Sequence, residues 1–246
     1  MTISYSISEV LKVIRRHGFL RVVSLVPKNI AHQVRWYWDR SFDREHGTDT
    51  SQVIPLERLT IAGSNAEHGV YYEPTSTRLF RFMMRRLVIR YQDYSFIDFG
   101  SGKGRTLLLA SEYPFKAVVG VEFSKELHDS AMNNISVFRS VRKYCHCISS
   151  VYMDAIDYPL PLGDLVIYLY NPFRKELMAR ILDNVRRSLE AHPRKVVIIY
   201  FGTVSGYLFD QQSFLPWKAN LHLPYDWTRH AQRKACVYSN HPRVLK

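Results

Sequence analysis

The sequence predicts an α/β fold built on a doubly wound, mostly parallel sheet. Three observations carry that expectation. Short apolar runs alternate with amphipathic helical stretches from Tyr94 to Phe201. The first run ends in a glycine-rich turn, Asp98-Phe99-Gly100-Ser101-Gly102-Lys103-Gly104, that opens a helix. The last two apolar runs have no helix between them. Continuous apolar strands separated by helices imply a parallel sheet covered on both faces, and strands joined directly imply an antiparallel hairpin.

Taken in order, Ser95–Phe99 reads as the first strand, with a helix expected over Arg105–Tyr113. Ala117–Val121 is the second strand and Lys125–Phe138 its helix. Ser149–Met153 is the third strand. Leu165–Tyr170 is the fourth, followed by a helix over Lys175–Leu189, and Val196–Phe201 is the fifth. Leu215–Tyr225 and Ala235–Ser239 form the expected C-terminal hairpin. Upstream, Thr77–Arg90 places Leu79, Phe80, Met83, Leu87 and Val88 at helical spacing, with Pro74 just before its start. Asp43–Ser51, containing Gly47-Thr48-Asp49-Thr50, reads as a polar loop. Ile7, Val10, Leu11 and Ile14 share one helical face, and a second helical segment runs around Ile30–Trp38. The chain thus divides into a helical N-terminal extension or lid over residues 1–70 and a sheet-bearing domain over 71–246.

Lys plus Arg outnumber Asp plus Glu by 34 to 22, a net charge of +12. That excess favours contact with nucleic acid or an acidic protein surface, or is simply solvated charge. Arg229–Lys234 and Arg243–Lys246 are the candidate contacts. Three cysteines without framework spacing argue against a disulfide scaffold. Cys145-His146-Cys147 has one residue between its thiols and no second ligand pair, so no metal site is expected. No stretch approaches the roughly 20 apolar residues of a membrane span, and the short run after Arg15-Arg16 makes a poor signal peptide. The expectation is a cytoplasmic protein.

Glycines stand in the turn because the chain bends sharply there and its backbone must approach a ligand closely. A phosphate-binding loop fails, since Gly104 stands where Ser or Thr is needed and Ile97 where its first glycine should be. A dinucleotide fingerprint is also a poor match, since Arg105 replaces the last glycine. The acid-x-Gly-x-Gly-x-Gly turn of S-adenosylmethionine enzymes fits at every position. Glu122-Phe123 close the second strand, where an acid accepts hydrogen bonds from ribose hydroxyls. Asp154-Ala155 follow the third strand, where Asp154 either meets an adenine amino group or caps its own loop. Tyr170-Asn171-Pro172-Phe173 end the fourth strand, where ligands bind in open α/β sheets. Asn171 and Pro172 are placed there to hold an attacking amine and Phe173 to stack on an acceptor or face a sulfonium; the alternative is an ordinary Asn-Pro turn.

Together these residues resemble the class I, seven-strand S-adenosylmethionine-dependent methyltransferases, over about Tyr71 to Phe201. Tyr72–Ser76, Asp98–Gly104 and Gly120–Glu122 echo the non-SET histone lysine methyltransferases. The segments GTDT, GSGKGR and YNPF are similar to those of bacterial methyltransferases of unassigned substrate. The resemblance implies a Rossmann-like seven-strand sheet and S-adenosylmethionine as cofactor. It implies that Asp98 orients the methionine amino group, that Gly100 and Gly102 line the methionine–ribose region, that Glu122 binds the ribose, and that Ser101, Gly104, Phe123, Asp154, Ala155 and Asn171 belong to the same cofactor site. Tyr72, Glu73 and Thr75 would form the loop over the methionine end. Tyr170-Asn171-Pro172-Phe173 departs from the histone enzymes and is nearer the Asn-Pro-Pro-aromatic of amino-group methyltransferases, so nitrogen is the expected target atom. The acceptor itself stays open between protein, nucleic acid and small molecule, as does a non-catalytic cofactor-binding subunit.

Overall fold

The computed structural model describes residues 40–54, 72–170, 173–202, 205–223 and 234–245. The helices expected at Ile7–Ile14 and Ile30–Trp38 lie outside them, as do Asn171, Pro172, residues 229–233 and Lys246.

One seven-stranded sheet organises the described residues: β1 (Tyr94–Phe99), β2 (Val118–Glu122), β3 (Ile148–Tyr152), β4 (Asp164–Leu169), β5 (Val196–Gly202), β6 (Trp217–Leu221) and β7 (Lys234–Ser239). Their spatial order is β3-β2-β1-β4-β5-β7-β6. The first five run parallel, while β7 pairs antiparallel with both β5 and β6. This is the doubly wound seven-strand sheet with a C-terminal antiparallel hairpin that the sequence led us to expect.

Strand residues alternate between the two faces, so each face acquires its own core. Phe96, Val118, Val166 and Tyr168 pack with Leu79, Phe80 and Met83 of α1 (Thr77–Arg86) and Leu107 and Leu108 of α2 (Arg105–Ala110). Ile97, Phe99, Val121 and Ile167 pack instead with Leu177, Met178 and Ile181 of α4 (Lys175–Ala191). Between β2 and β3 runs α3 (Lys125–Val137), whose start is capped by the Ser124 hydroxyl accepting the Leu127 N–H. Each large apolar side chain withdrawn from water contributes about 1.5–3 kcal/mol, which explains why β4 and β5 are almost wholly apolar and why β1 is apolar but for Ser95 and Asp98.

Three expected boundaries shift, each for a visible reason. The helix after the glycine turn stops at Ala110 rather than Tyr113. There Ser111 donates its hydroxyl to the Leu108 carbonyl, and its own carbonyl accepts N–H groups from Tyr144 and Cys145. α1 ends at Arg86 rather than Arg90, because Leu87 is extended and bridges Leu245, and the Val88 N–H reaches the Val244 carbonyl at 2.8 Å. Residues 40–46 are helical, so Asp43 belongs to a helix rather than a loop, and Gly47, with φ of 70°, ends it. A short helix α5 (Gly206–Asp210), not expected, connects β5 to the hairpin. Phe42 joins the core beside Phe138, with ring centroids 6.3 Å apart, so residues 40–46 are packed into the body of the sheet domain.

Candidate cofactor site

The chain builds outward from β1 through β2 to β3, then crosses back to β4 on the other side of β1. Loops leaving the carboxyl ends of β1 and β4 therefore diverge, and an open cleft forms at that switch point. Asp98, near the end of β1, is in register with Gly120 on β2 and Tyr168 on β4. The turn that follows puts Gly100, Gly102 and Gly104 at φ of 77°, 55° and 80°. Side chains with a Cβ rarely tolerate that region. Gly102 is the tightest position. A Cβ there would stand 2.2 Å from Cε2 of Tyr72, so the tyrosine ring lies directly on bare backbone.

Two carboxylates flank this turn. Asp98 is 3% exposed and accepts the Thr106 hydroxyl. Burial pushes its pKa up to about 7, with the Thr106 bond opposing the rise and the Glu122 charge adding to it. Glu122 is 2% exposed; Oε2 accepts the Gly102 N–H at 2.7 Å and Oε1 the Ser124 N–H at 2.9 Å. Burial lifts it to about 7 as well, against the backbone donors of Ser124, Gly102 and Phe123. Desolvation penalises a charged carboxylate, so each is poised to gain from a cationic or hydroxyl-bearing partner.

The cleft between them encloses about 620 Å³, open solvent included. Of the residues expected from sequence, Tyr72, Glu73, Thr75, Asp98, Gly100, Ser101, Gly102, Glu122, Phe123 and Phe173 line it. Gly104 does not; it precedes α2 and packs against Ala131. Asp154 and Ala155 also lie outside the lining. The Asp154 carboxylate accepts the Ile156 N–H at 3.0 Å, the loop-capping geometry, and Ala155 is buried in the core on the α4 face. Among the described residues no three His, Cys, Asp or Glu side chains gather as metal ligands would. No helix among them is long and apolar enough to cross a membrane.

No protein-family model matches this chain, and no curated protein does. Among solved structures it is similar to an RNA methyltransferase from Salinibacter ruber in complex with S-adenosyl-L-homocysteine. That likeness has 13% identity and a TM-score of 0.45, covering 70% of this chain and 97% of the other. The pyocyanin biosynthetic protein PhzM is similar at 16% identity and TM-score 0.49, over 68% of this chain and 55% of its own. Geranyl diphosphate C-methyltransferase from Streptomyces coelicolor A3(2) is similar at 12% identity and TM-score 0.43, over 67% and 77%. These likenesses are distant, and the reading of the cleft rests on this chain's own residues.

Sequence reasoning missed several lining residues: Pro74, Arg105, Thr106, Leu127 and Tyr168. Thr106 and Leu127 look like ordinary helix positions, and Tyr168 like an ordinary strand residue. Tyr168 is fully buried and its hydroxyl lies 3.3 Å from the Thr75 hydroxyl, which brings the loop before α1 onto β4. Only the β1–β4 register sets Tyr168 beside Asp98, and one sequence does not encode that register locally. The role of the GTDT segment was also missed. Arg105, 1% exposed, donates from Nε to Thr50 Oγ1 at 2.7 Å and lies 3.6 Å from Asp43. Lys103, also buried, donates to Asp49 at 2.8 Å. Burial alone would raise the Asp43 pKa. Donors from Ser51, Thr50 and Thr48, with the Arg105 charge, instead hold it below the usual carboxylate range.

Proposed function

We propose that this chain is an S-adenosylmethionine-dependent methyltransferase of class I, with the cleft at the β1–β4 switch point as its cofactor site. One observation supports this above the rest: two buried carboxylates, Asp98 and Glu122, flank a turn of three left-handed glycines at the ends of adjacent parallel strands. The cofactor offers a matching set of groups, an ammonium and two ribose hydroxyls, all hydrogen-bond donors. Ser101 Oγ, buried in the cleft wall with no hydrogen-bond partner among the described residues, is a further polar atom that a ligand with both donors and acceptors satisfies. A dinucleotide would bring its diphosphate to the turn, where the buried Asp98 opposes it, whereas an acid placed like Glu122 serves a ribose in either ligand.

The cofactor supplies an activated methyl group on a sulfonium. The chain's part is to bind, orient and desolvate. Asp98 accepts the ammonium and, once ionised, is compensated by it. Glu122 holds the turn through the Gly102 N–H and, lining the cleft, is placed to accept the ribose hydroxyls. The apolar faces of Tyr72 and Phe173 exclude water, and Tyr168 with Thr75 forms the polar floor. Alignment of this kind is worth about 7–11 kcal/mol of barrier.

For the acceptor, the reading is nitrogen on a protein or other macromolecule, carried by Asn171-Pro172-Phe173 after β4 and by the +12 charge. The alternatives are a nucleic-acid or small-molecule acceptor. Incubation with methyl-labelled cofactor and cell extract, followed by mapping of the labelled atom, tests it. Label on nitrogen of a macromolecule is expected; label confined to oxygen, sulfur or carbon, or to small molecules, contradicts it.

A further inference from the structure

The Gly47-Thr48-Asp49-Thr50 segment is far from the glycine turn in sequence yet bonded to it repeatedly. Thr50 is fully buried and makes four hydrogen bonds. Its hydroxyl accepts from Arg105 Nε at 2.7 Å and donates to Asp43 Oδ1 at 2.6 Å, and its carbonyl accepts the Tyr72 hydroxyl at 2.8 Å. Asp43 also takes the N–H of Thr50 at 2.9 Å and of Ser51 at 2.8 Å. Asn134 braces the same loop, accepting the Asp49 N–H at 2.8 Å and donating to the Lys103 carbonyl at 2.9 Å.

Tyr72 is thereby fixed at both ends. Its backbone exchanges two hydrogen bonds with Ile54, at 2.9 and 3.1 Å, and its hydroxyl is held by Thr50. Between those anchors the ring lies on Gly102, the residue whose N–H is bound by Glu122. The bonds that hold the loop lead back to Lys103 and Arg105, just beyond Gly102. Ring, loop and turn form one closed circuit of contacts.

We propose that Asp43, Thr50 and Arg105 are positioning residues that set the Tyr72 ring as a wall over Gly102, and that this wall retains the bound cofactor. The inference rests on the cofactor reading above. Loss of the wall opens one side of the cleft without removing Asp98 or Glu122. A ligand that loses its contact with the ring leaves faster while entering at a nearly unchanged rate, because contacts made only in the bound state act mainly on dissociation. A purely structural role for the network would change the folded fraction instead, leaving dissociation from folded molecules as it was.

The test is surface plasmon resonance of S-adenosylhomocysteine on the immobilised full chain, comparing wild type, Asp43→Asn and Tyr72→Phe. Circular dichroism of each variant establishes folding. Tyr72→Phe keeps the ring and removes only the hydroxyl anchor, so it decides the matter if Asp43→Asn fails to fold. Dissociation at least fivefold faster than wild type in the folded variants is expected. Anything less than fivefold overturns the inference. Wild type that does not bind S-adenosylhomocysteine overturns the cofactor reading itself, a distinguishable result.

Discussion

The Glu122 carboxylate accepts the Gly102 N–H at 2.7 Å, tying the end of β2 to the middle of the turn after β1. With the Ser124 N–H on its other oxygen, Glu122 organises backbone as well as facing the cleft. Glu122→Ala leaves the Gly102, Ser124 and Phe123 N–H groups without their acceptor, at a cost of about 1–3 kcal/mol for each that stays buried. Urea unfolding at pH 6, where the wild-type side chain is largely protonated and its desolvation penalty small, should show a destabilisation of that order. An unchanged midpoint would mean that Glu122 serves the ligand alone.

Stability of the ligand-free protein should fall as pH rises. Asp98 and Glu122 have pKa values near 7 in the folded chain against ordinary values of 3.8 and 4.5. Between about pH 4 and 7 the folded state holds protons that the unfolded state has released, so ΔG of unfolding decreases across that window and levels off above it. Each group contributes on the order of 1 kcal/mol per pH unit. Asp98→Asn removes one contribution, so the variant should lose less stability over this window and exceed wild type at pH 8 without ligand. Equal pH slopes for the two proteins would contradict this.

Affinity for S-adenosylhomocysteine should have the opposite pH trend at first. Binding of the ligand's ammonium requires ionised Asp98, so affinity rises about tenfold per unit below pH 7 for that one deprotonation. It declines again only at the alkaline end, where the ligand's amine, which is more basic than a chain terminus because its own carboxylate lies beside it, loses its proton. Calorimetric titrations from pH 5.5 to 9 check this; a flat profile would separate Asp98 from the ligand's amine.

Gly102→Ala should cripple binding while leaving the sheet intact. The added Cβ meets the Tyr72 ring at 2.2 Å, and φ of 55° is unfavourable for alanine by about 1–2 kcal/mol. The expected result is a folded protein with at least tenfold weaker S-adenosylhomocysteine binding. Wild-type affinity in this variant would show that the Tyr72 ring seated on Gly102 does not serve ligand binding.

The parts of the site that were legible in sequence share one property: their geometry is local. Asp98 through Gly104 encode a strand end, three left-handed positions and a helix start within seven consecutive residues. Glu122 follows from its place at the next strand end. Helix ends were less legible, since α2 stops on the Ser111 hydroxyl and α1 stops because Leu87 pairs with the distant Leu245. Tyr168 is set beside Asp98 by sheet register, and Arg105 meets Asp43 and Thr50 across a long stretch of chain. Such pairings arise from tertiary packing, which leaves no periodic trace. Asp154 shows the converse: an acid at a suggestive strand end whose carboxylate caps its own loop.

Asp98, Glu122 and the glycine turn are proposed as a site for S-adenosylmethionine. Isothermal titration of the full chain at pH 7.5 with S-adenosylhomocysteine, and separately with NAD, tests it most directly. Saturable one-to-one binding of S-adenosylhomocysteine, lost in Asp98→Ala, is expected, with no binding of NAD. Binding of NAD with none of S-adenosylhomocysteine would contradict it.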